Sequence, residues 1–233
     1  MPEILSSGKS TFQIDVPYKL IETGKSDEKP LIVYLHGFKQ NIQMFQGLVE
    51  ELLDIEAYHL FVQAPYPIYD RSRKKAVEEW GRAWYLYDGN QDQFVRSLEA
   101  ASEFVQDHIE KVSDQLSPSH VTVLGYSMGG YLAGYFGLSR WKNIQDLIIV
   151  GARIKTELFE DKKHHFDHMN VLALHGTKDG SVKSAPQKKC CSQLSEWGAN
   201  VTFKELEESH ALSSLFLQEI KEWMLDLGYQ KYI

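Results

Sequence analysis

The stretch Val121-Thr122-Val123-Leu124-Gly125-Tyr126-Ser127-Met128-Gly129-Gly130 decides how this chain folds. An apolar run rich in β-branched residues stops at Gly125. Ser127 follows two residues later, then two glycines, then helix-forming residues. This is the G-x-S-x-G pattern in the strand–turn–helix setting that a nucleophile elbow requires. The spacing has a steric cause. The turn is so sharp that the serine is expected in a strained backbone conformation, its hydroxyl held above the end of a sheet. A side chain larger than hydrogen at Gly125 or Gly129 would collide with neighbouring backbone. Gly130, Gly134 and Gly137 recur at helical spacing and would let the following helix press closely onto a sheet.

Along the rest of the chain, short continuous apolar runs alternate with amphipathic ones. Leu31–Leu35, Leu60–Ala64, Val121–Gly125, Leu147–Val150 and Val171–His175 read as strands covered on both faces. Thr11–Val16 and Val201–Leu206 are weaker strand candidates with some alternation. Helical periodicity runs over Met44–Ile55, Asp92–Val112, the segment after Ser127, and Leu212–Leu227. This alternation predicts an α/β fold: a mostly parallel central sheet with helices on both faces. The 233 residues make one domain, residues 1–233, with no insertion long enough for a separate lid. The longest irregular stretches, about 65–90 and 152–170, are of a length that is often functional.

Composition narrows the function classes. A formal net charge of -7 disfavours nucleic acid or an anionic membrane surface as main partner. The only two cysteines, Cys190 and Cys191, are adjacent and form no disulfide framework, which points to a reducing, cytoplasmic setting. The first residues lack a basic and an apolar region, so no signal peptide is read, and no apolar stretch reaches membrane-spanning length.

A serine nucleophile needs a base, an acid and oxyanion donors. The elbow resembles that of α/β-hydrolases, in which the chain order is nucleophile, acid, base. Asp179 lies in the loop after the strand ending at His175, at the sheet edge where such folds hold their sites. It would accept the imidazole N–H and fix its tautomer. His210 follows the strand candidate Val201–Leu206 and could reach back to Ser127 as base. Glu207 and Glu208 adjoin it and compete with Asp179 for the acid role. One oxyanion donor is the backbone N–H of Met128. The second belongs to the loop after Leu31–Leu35, where Gly37 would turn the N–H of Phe38 towards substrate. His36 and His175, each before a glycine at a strand end, read as structural. The tract His164, His165, Asp167, His168 could place His164 and His168 on one helix face. It lacks the glutamate of a zinc-protease helix and reads as a polar loop, so no metal is expected.

These blocks together resemble the phospholipase/carboxylesterase family of α/β-hydrolases. The matching pieces are Leu35-His36-Gly37, Gly81-Arg82-Ala83-Trp84-Tyr85, Gly125–Gly130, His175-Gly176-Thr177-Lys178-Asp179, and Ser209-His210. The resemblance implies a lidless hydrolase using Ser127, Asp179 and His210 on small-molecule esters or thioesters, with no cofactor, as monomer or homodimer. It also favours Trp84 as a residue near the substrate pocket. By themselves, Trp80, Trp84, Tyr85 and Tyr87 could wall an acyl pocket or cover the long helix. The chain departs from the family after His36-Gly37, where Phe38-Lys39-Gln40-Asn41 stands. It departs again at Met128, and at Tyr85-Leu86-Tyr87-Asp88. Lysophospholipase, peptidase or dienelactone-type chemistry and a non-catalytic binding protein on the same fold are the alternatives.

Overall fold

The computed structural model describes residues 4–8, 10 and 13–232. Among the described residues, seven strands form one sheet: β1 (Tyr18–Glu22), β2 (Leu31–Leu35), β3 (Tyr58–Val62), β6 (Val121–Tyr126), β7 (Asp146–Val150), β8 (Asn170–Gly176) and β9 (Asn200–Leu206). Their order across the sheet is β1-β3-β2-β6-β7-β8-β9. Only β1 runs antiparallel, against β3. The other pairings within this sheet are parallel, so crossover connections carry the chain back between strands, α-helical except between β7 and β8, where two 3-10 segments (Thr156–Leu158 and Glu160–His165) do so. A two-residue pair, β4 (Tyr66–Pro67) with β5 (Arg82–Ala83), stands apart from the sheet. The helices are α1 (Ile42–Leu48), α2 (Gln91–Leu116), α3 (Met128–Ser139), α4 (Ser184–Glu196) and α5 (Ser214–Asp226).

Strand alternation builds two cores. Leu31, Val33, Leu35, Val123, Leu147 and Ile149 face α2, α3 and α4, meeting Leu98, Val105, Phe136 and Leu194. Ile32, Tyr34, Leu124, Ile148 and Leu172 face the other side, meeting Phe45 of α1 and Phe216, Ile220 and Trp223 of α5. Burial on both faces is why the strands read as unbroken apolar runs.

Two expectations are corrected, and the structure adds one helix. The first strand is not Thr11–Val16. Residues 11 and 12 lie outside the described residues, residues 13–16 form no strand, and the strand is Tyr18–Glu22. The apolar segment Met44–Ile55 is not one helix. It is α1 followed by a 3-10 turn over Glu50–Asp54, which brings Val49, Leu52 and Ile55, spaced by three, to full burial. The added helix, α4, carries no strong amphipathic pattern in its sequence. Its buried side is Gln187, Cys190, Cys191 and Leu194.

Candidate active site

The sharp turn after β6 takes the expected form. Ser127 has φ 53° and ψ -116°, a left-handed backbone that a side-chain-bearing residue adopts only when its surroundings hold it there. Two close approaches hold it. A Cβ on Gly125 would overlap the Gly129 carbonyl, and one on Gly129 would overlap the Leu35 carbonyl. Helix α3 therefore packs against β6 and β2 at a distance only glycine allows.

Asp179 and His210 come to this edge on adjacent loops. The loop after β8 and the loop after β9 are laced by backbone bonds, Thr177 N–H to Leu206 C=O (2.8 Å) and Lys178 N–H to Glu208 C=O (2.9 Å). His210 Nδ1–H donates to Asp179 Oδ2 at 2.7 Å, and Ser127 Oγ–H donates to His210 Nε2 at 2.8 Å. The carboxylate fixes the tautomer: with Nδ1 as donor, Nε2 is left to accept from the serine. The Asp179 side chain is 1% exposed. Burial works to raise its pKa, but N–H groups of Val182 and Ser181, each 2.8 Å from Oδ1, and the His210 bond outweigh it. The net shift is below the ordinary carboxylate value. Glu207, one of the two competing acids, pairs instead with Lys178 at the surface.

The structure adds supports that the sequence did not single out. Tyr126, the variable residue before the serine, donates its hydroxyl to the His210 carbonyl at 3.1 Å. Gly151 (φ +59°) begins the loop after β7, and its would-be Cβ lies 3.3 Å from His210 Cε1. A glycine directly after a buried strand was the available signal for that position.

The loop carrying Phe38 is braced from several directions. Gln40 Oε1 accepts the Gly37 N–H at 2.7 Å, and Lys39 and Gln40 pair with Arg82 through backbone bonds of 3.0 and 2.9 Å. The N–H groups of Phe38 and Met128 have no acceptor among the described residues. His36 is structural, as expected. Its Nε2 accepts from Ala64 N–H (3.2 Å), which leaves Nδ1–H to face the Gly37 carbonyl (2.8 Å). Burial pushes its pKa down to about 4, so the ring stays neutral. His175 donates Nε2–H to the Val182 carbonyl at 2.8 Å, holding the acid loop.

Trp84 does not wall an open pocket. It is fully buried, and its indole N–H donates to the His36 carbonyl at 2.7 Å. Its place is behind the Phe38 loop, as a brace. His164 and His168 do not share a helix either. A 3-10 segment ends at His165, which stacks on Trp141, while His168 bonds the Trp141 carbonyl. Among the described residues, no group of three or more His, Cys, Asp or Glu side chains is placed to hold a metal, and no helix is long and apolar enough to cross a membrane.

Comparison with known proteins fits this geometry. The chain superposes on esterase PE8 with a TM-score of 0.74 at 16% identity, covering 91% of this chain and 99% of that one. It superposes on the Bacillus cereus carboxylesterase at 0.68 and 17%, covering 91% and 94%. With the Zea mays acyl-protein thioesterase 2 the values are 0.70 and 18%, covering 90% and 98%. At these identities the likeness is one of fold, the α/β-hydrolase fold. In sequence, the Caenorhabditis elegans protein abhd-5.2, an abhydrolase domain-containing protein, is 24% identical over 147 residues, 58% of this chain. The match spans only 29% of that longer relative. The profile of one family matches residues 16–226. The chain belongs to the Phospholipase/Carboxylesterase family.

Proposed function

We propose that this chain is a serine hydrolase that cleaves carboxylic esters or thioesters through an acyl-enzyme on Ser127. The observation that carries the reading is the unbroken relay from Ser127 Oγ through His210 to the Asp179 carboxylate, 2.8 and 2.7 Å, built on a strained serine. Ser127 Oγ attacks the carbonyl carbon while its proton passes to His210 Nε2. Asp179 holds the imidazole and stabilises the imidazolium without taking the proton. The N–H groups of Phe38 and Met128, free of internal partners among the described residues, receive the oxyanion. Collapse breaks the bond to the alcohol or thiol, which leaves with the His210 proton. Water then adds to the acyl-enzyme by the same route and releases the acid.

The test is hydrolysis of p-nitrophenyl butyrate and of a butyryl thioester by the wild type, Ser127→Ala and His210→Ala. Each variant should lose about 10⁴-fold or more in kcat while its thermal melt stays within a few degrees. Full activity in Ser127→Ala would remove the nucleophile assignment, and full activity in His210→Ala the base.

A further inference from the structure

Tyr131 stands on the first turn of α3, four residues past the serine, and its N–H donates to the Ser127 carbonyl at 3.1 Å. Residues four apart share a helix face, and helical side chains lean towards the N-terminus. The partly exposed Tyr131 ring is thereby set over the turn that carries Ser127. It meets Phe94 edge-on at 6.4 Å. Phe94 in turn packs against Tyr85 (4.9 Å) and Tyr87 (5.0 Å), and Lys155 Nζ lies 5.5 Å from its ring centre.

The hydroxyls in this group behave unlike their neighbours. Tyr126 and Tyr135, on the same stretch of chain, bond the His210 carbonyl and Glu99. The Tyr131 and Tyr85 hydroxyls bond no described residue, yet neither is among the polar atoms sealed from solvent without a partner. Both are therefore free to meet a ligand. The shared contact with the Phe94 ring brings the two tyrosines together; burial raises the Tyr85 pKa and the neighbouring Tyr131 adds to it. Burial likewise raises that of Tyr131, with Arg153 opposing and Asp179 adding.

We infer that Tyr131, the Tyr85 hydroxyl and the Phe94 ring form a specificity subsite for a planar aromatic ester component that carries an oxygen, such as a hydroxyaryl acid. The inference rests on the serine-hydrolase reading for its place beside Ser127. Aromatic faces favour a second ring in edge or offset contact, and two open hydroxyls need oxygen partners. A saturated chain of equal length would leave both hydroxyls against methylenes, which costs binding.

The test measures binding without turnover. In the Ser127→Ala background, ethyl 4-hydroxycinnamate should bind about tenfold or more tighter than ethyl nonanoate by calorimetric titration. Adding Tyr131→Phe, which removes one oxygen, should weaken the aryl ester about three- to tenfold and leave the alkyl ester unchanged. Tyr85→Phe is the second variant, with the same expectation, should Tyr131→Phe lower the thermal melt. Equal binding of the two esters, or an aryl affinity untouched by both variants, would overturn the inference. Fluorophosphonate labelling of the wild type separates the two claims: labelling of Ser127 without aryl preference removes the subsite alone, and absence of labelling removes the serine-hydrolase reading.

Discussion

Replacing Asp179 by Asn should cost nearly all activity while leaving the fold in place, and the geometry says why. Asp179 Oδ1 accepts two backbone N–H groups, from Ser181 and Val182, both at 2.8 Å. Its Oδ2 accepts His210 Nδ1–H at 2.7 Å. An asparagine has one oxygen and one NH₂. Turning the NH₂ towards two N–H donors would leave three donors facing one another in a site 1% exposed. The oxygen must therefore stay with Ser181 and Val182, and the NH₂ must face His210. Nδ1 is then forced to accept, the proton moves to Nε2, and Nε2 points a donor at Ser127 Oγ. A histidine in that tautomer cannot take the serine proton. Serine enzymes with the same relay lose about 10⁴ in kcat on this change, equivalent to about 5.5 kcal/mol of transition-state stabilisation. Steady-state hydrolysis of p-nitrophenyl butyrate at pH 7, beside a thermal melt, reads both effects. Glu207→Gln and Glu208→Gln serve as controls and should stay within about twofold, because Glu207 is committed to Lys178. A loss below tenfold in Asp179→Asn, or a large loss in either control, would show that another carboxylate orients His210.

Three further outcomes follow from the same contacts. Gly129→Ala should fail to fold or melt far below the wild type, because its methyl would overlap the Leu35 carbonyl. Gly47→Ala, with open space around it in α1, should hold or raise stability by up to about 1 kcal/mol. Trp84→Phe keeps an aromatic ring, though a smaller one, and removes the N–H that holds the His36 carbonyl, so stability should fall by about 1–3 kcal/mol and kcat more than KM. A change in KM alone would place Trp84 at the substrate instead. Because the native Asp179 carboxyl titrates below its ordinary value, the stability it contributes is full above about pH 4 and is lost as pH falls through the lower native pKa. The melting difference between wild type and Asp179→Asn should therefore shrink between pH 4 and pH 2, and a difference that grows on acidification would reverse the sign of the shift.

How much of this was legible in the sequence depended on which residues were buried and from how many sides. The run Leu31–Leu35 marks β2 to the residue because it packs into one core with residues of α1 and α5 and into the other with residues of α2 and α3, leaving an unbroken apolar run. β1 leaves little trace in the hydrophobic pattern because it is an edge strand whose residues are mostly exposed. α4 escaped because Gln187, Cys190 and Cys191 supply its buried side in place of leucines, and Pro186 sits in its first turn. The convergence of Ser127, Asp179 and His210 is legible in sequence because each follows a strand end. The place of Trp84 is not. An aromatic cluster announces burial or binding alike, and only coordinates reveal that the indole points at the His36 carbonyl. The same holds for Tyr126, whose anchoring of His210 spans 84 residues of chain.

Covalent labelling tests the assignment of Ser127 as the reactive group without knowledge of the natural substrate. The native protein should react with a fluorophosphonate, gain the mass of one phosphonyl group, and yield one modified peptide with the adduct on Ser127. Ser127→Ala should gain nothing, and heat-denatured protein likewise, because reactivity depends on the relay through His210 and Asp179. An adduct on any other residue of the native protein, or no adduct on a folded sample, would contradict the account.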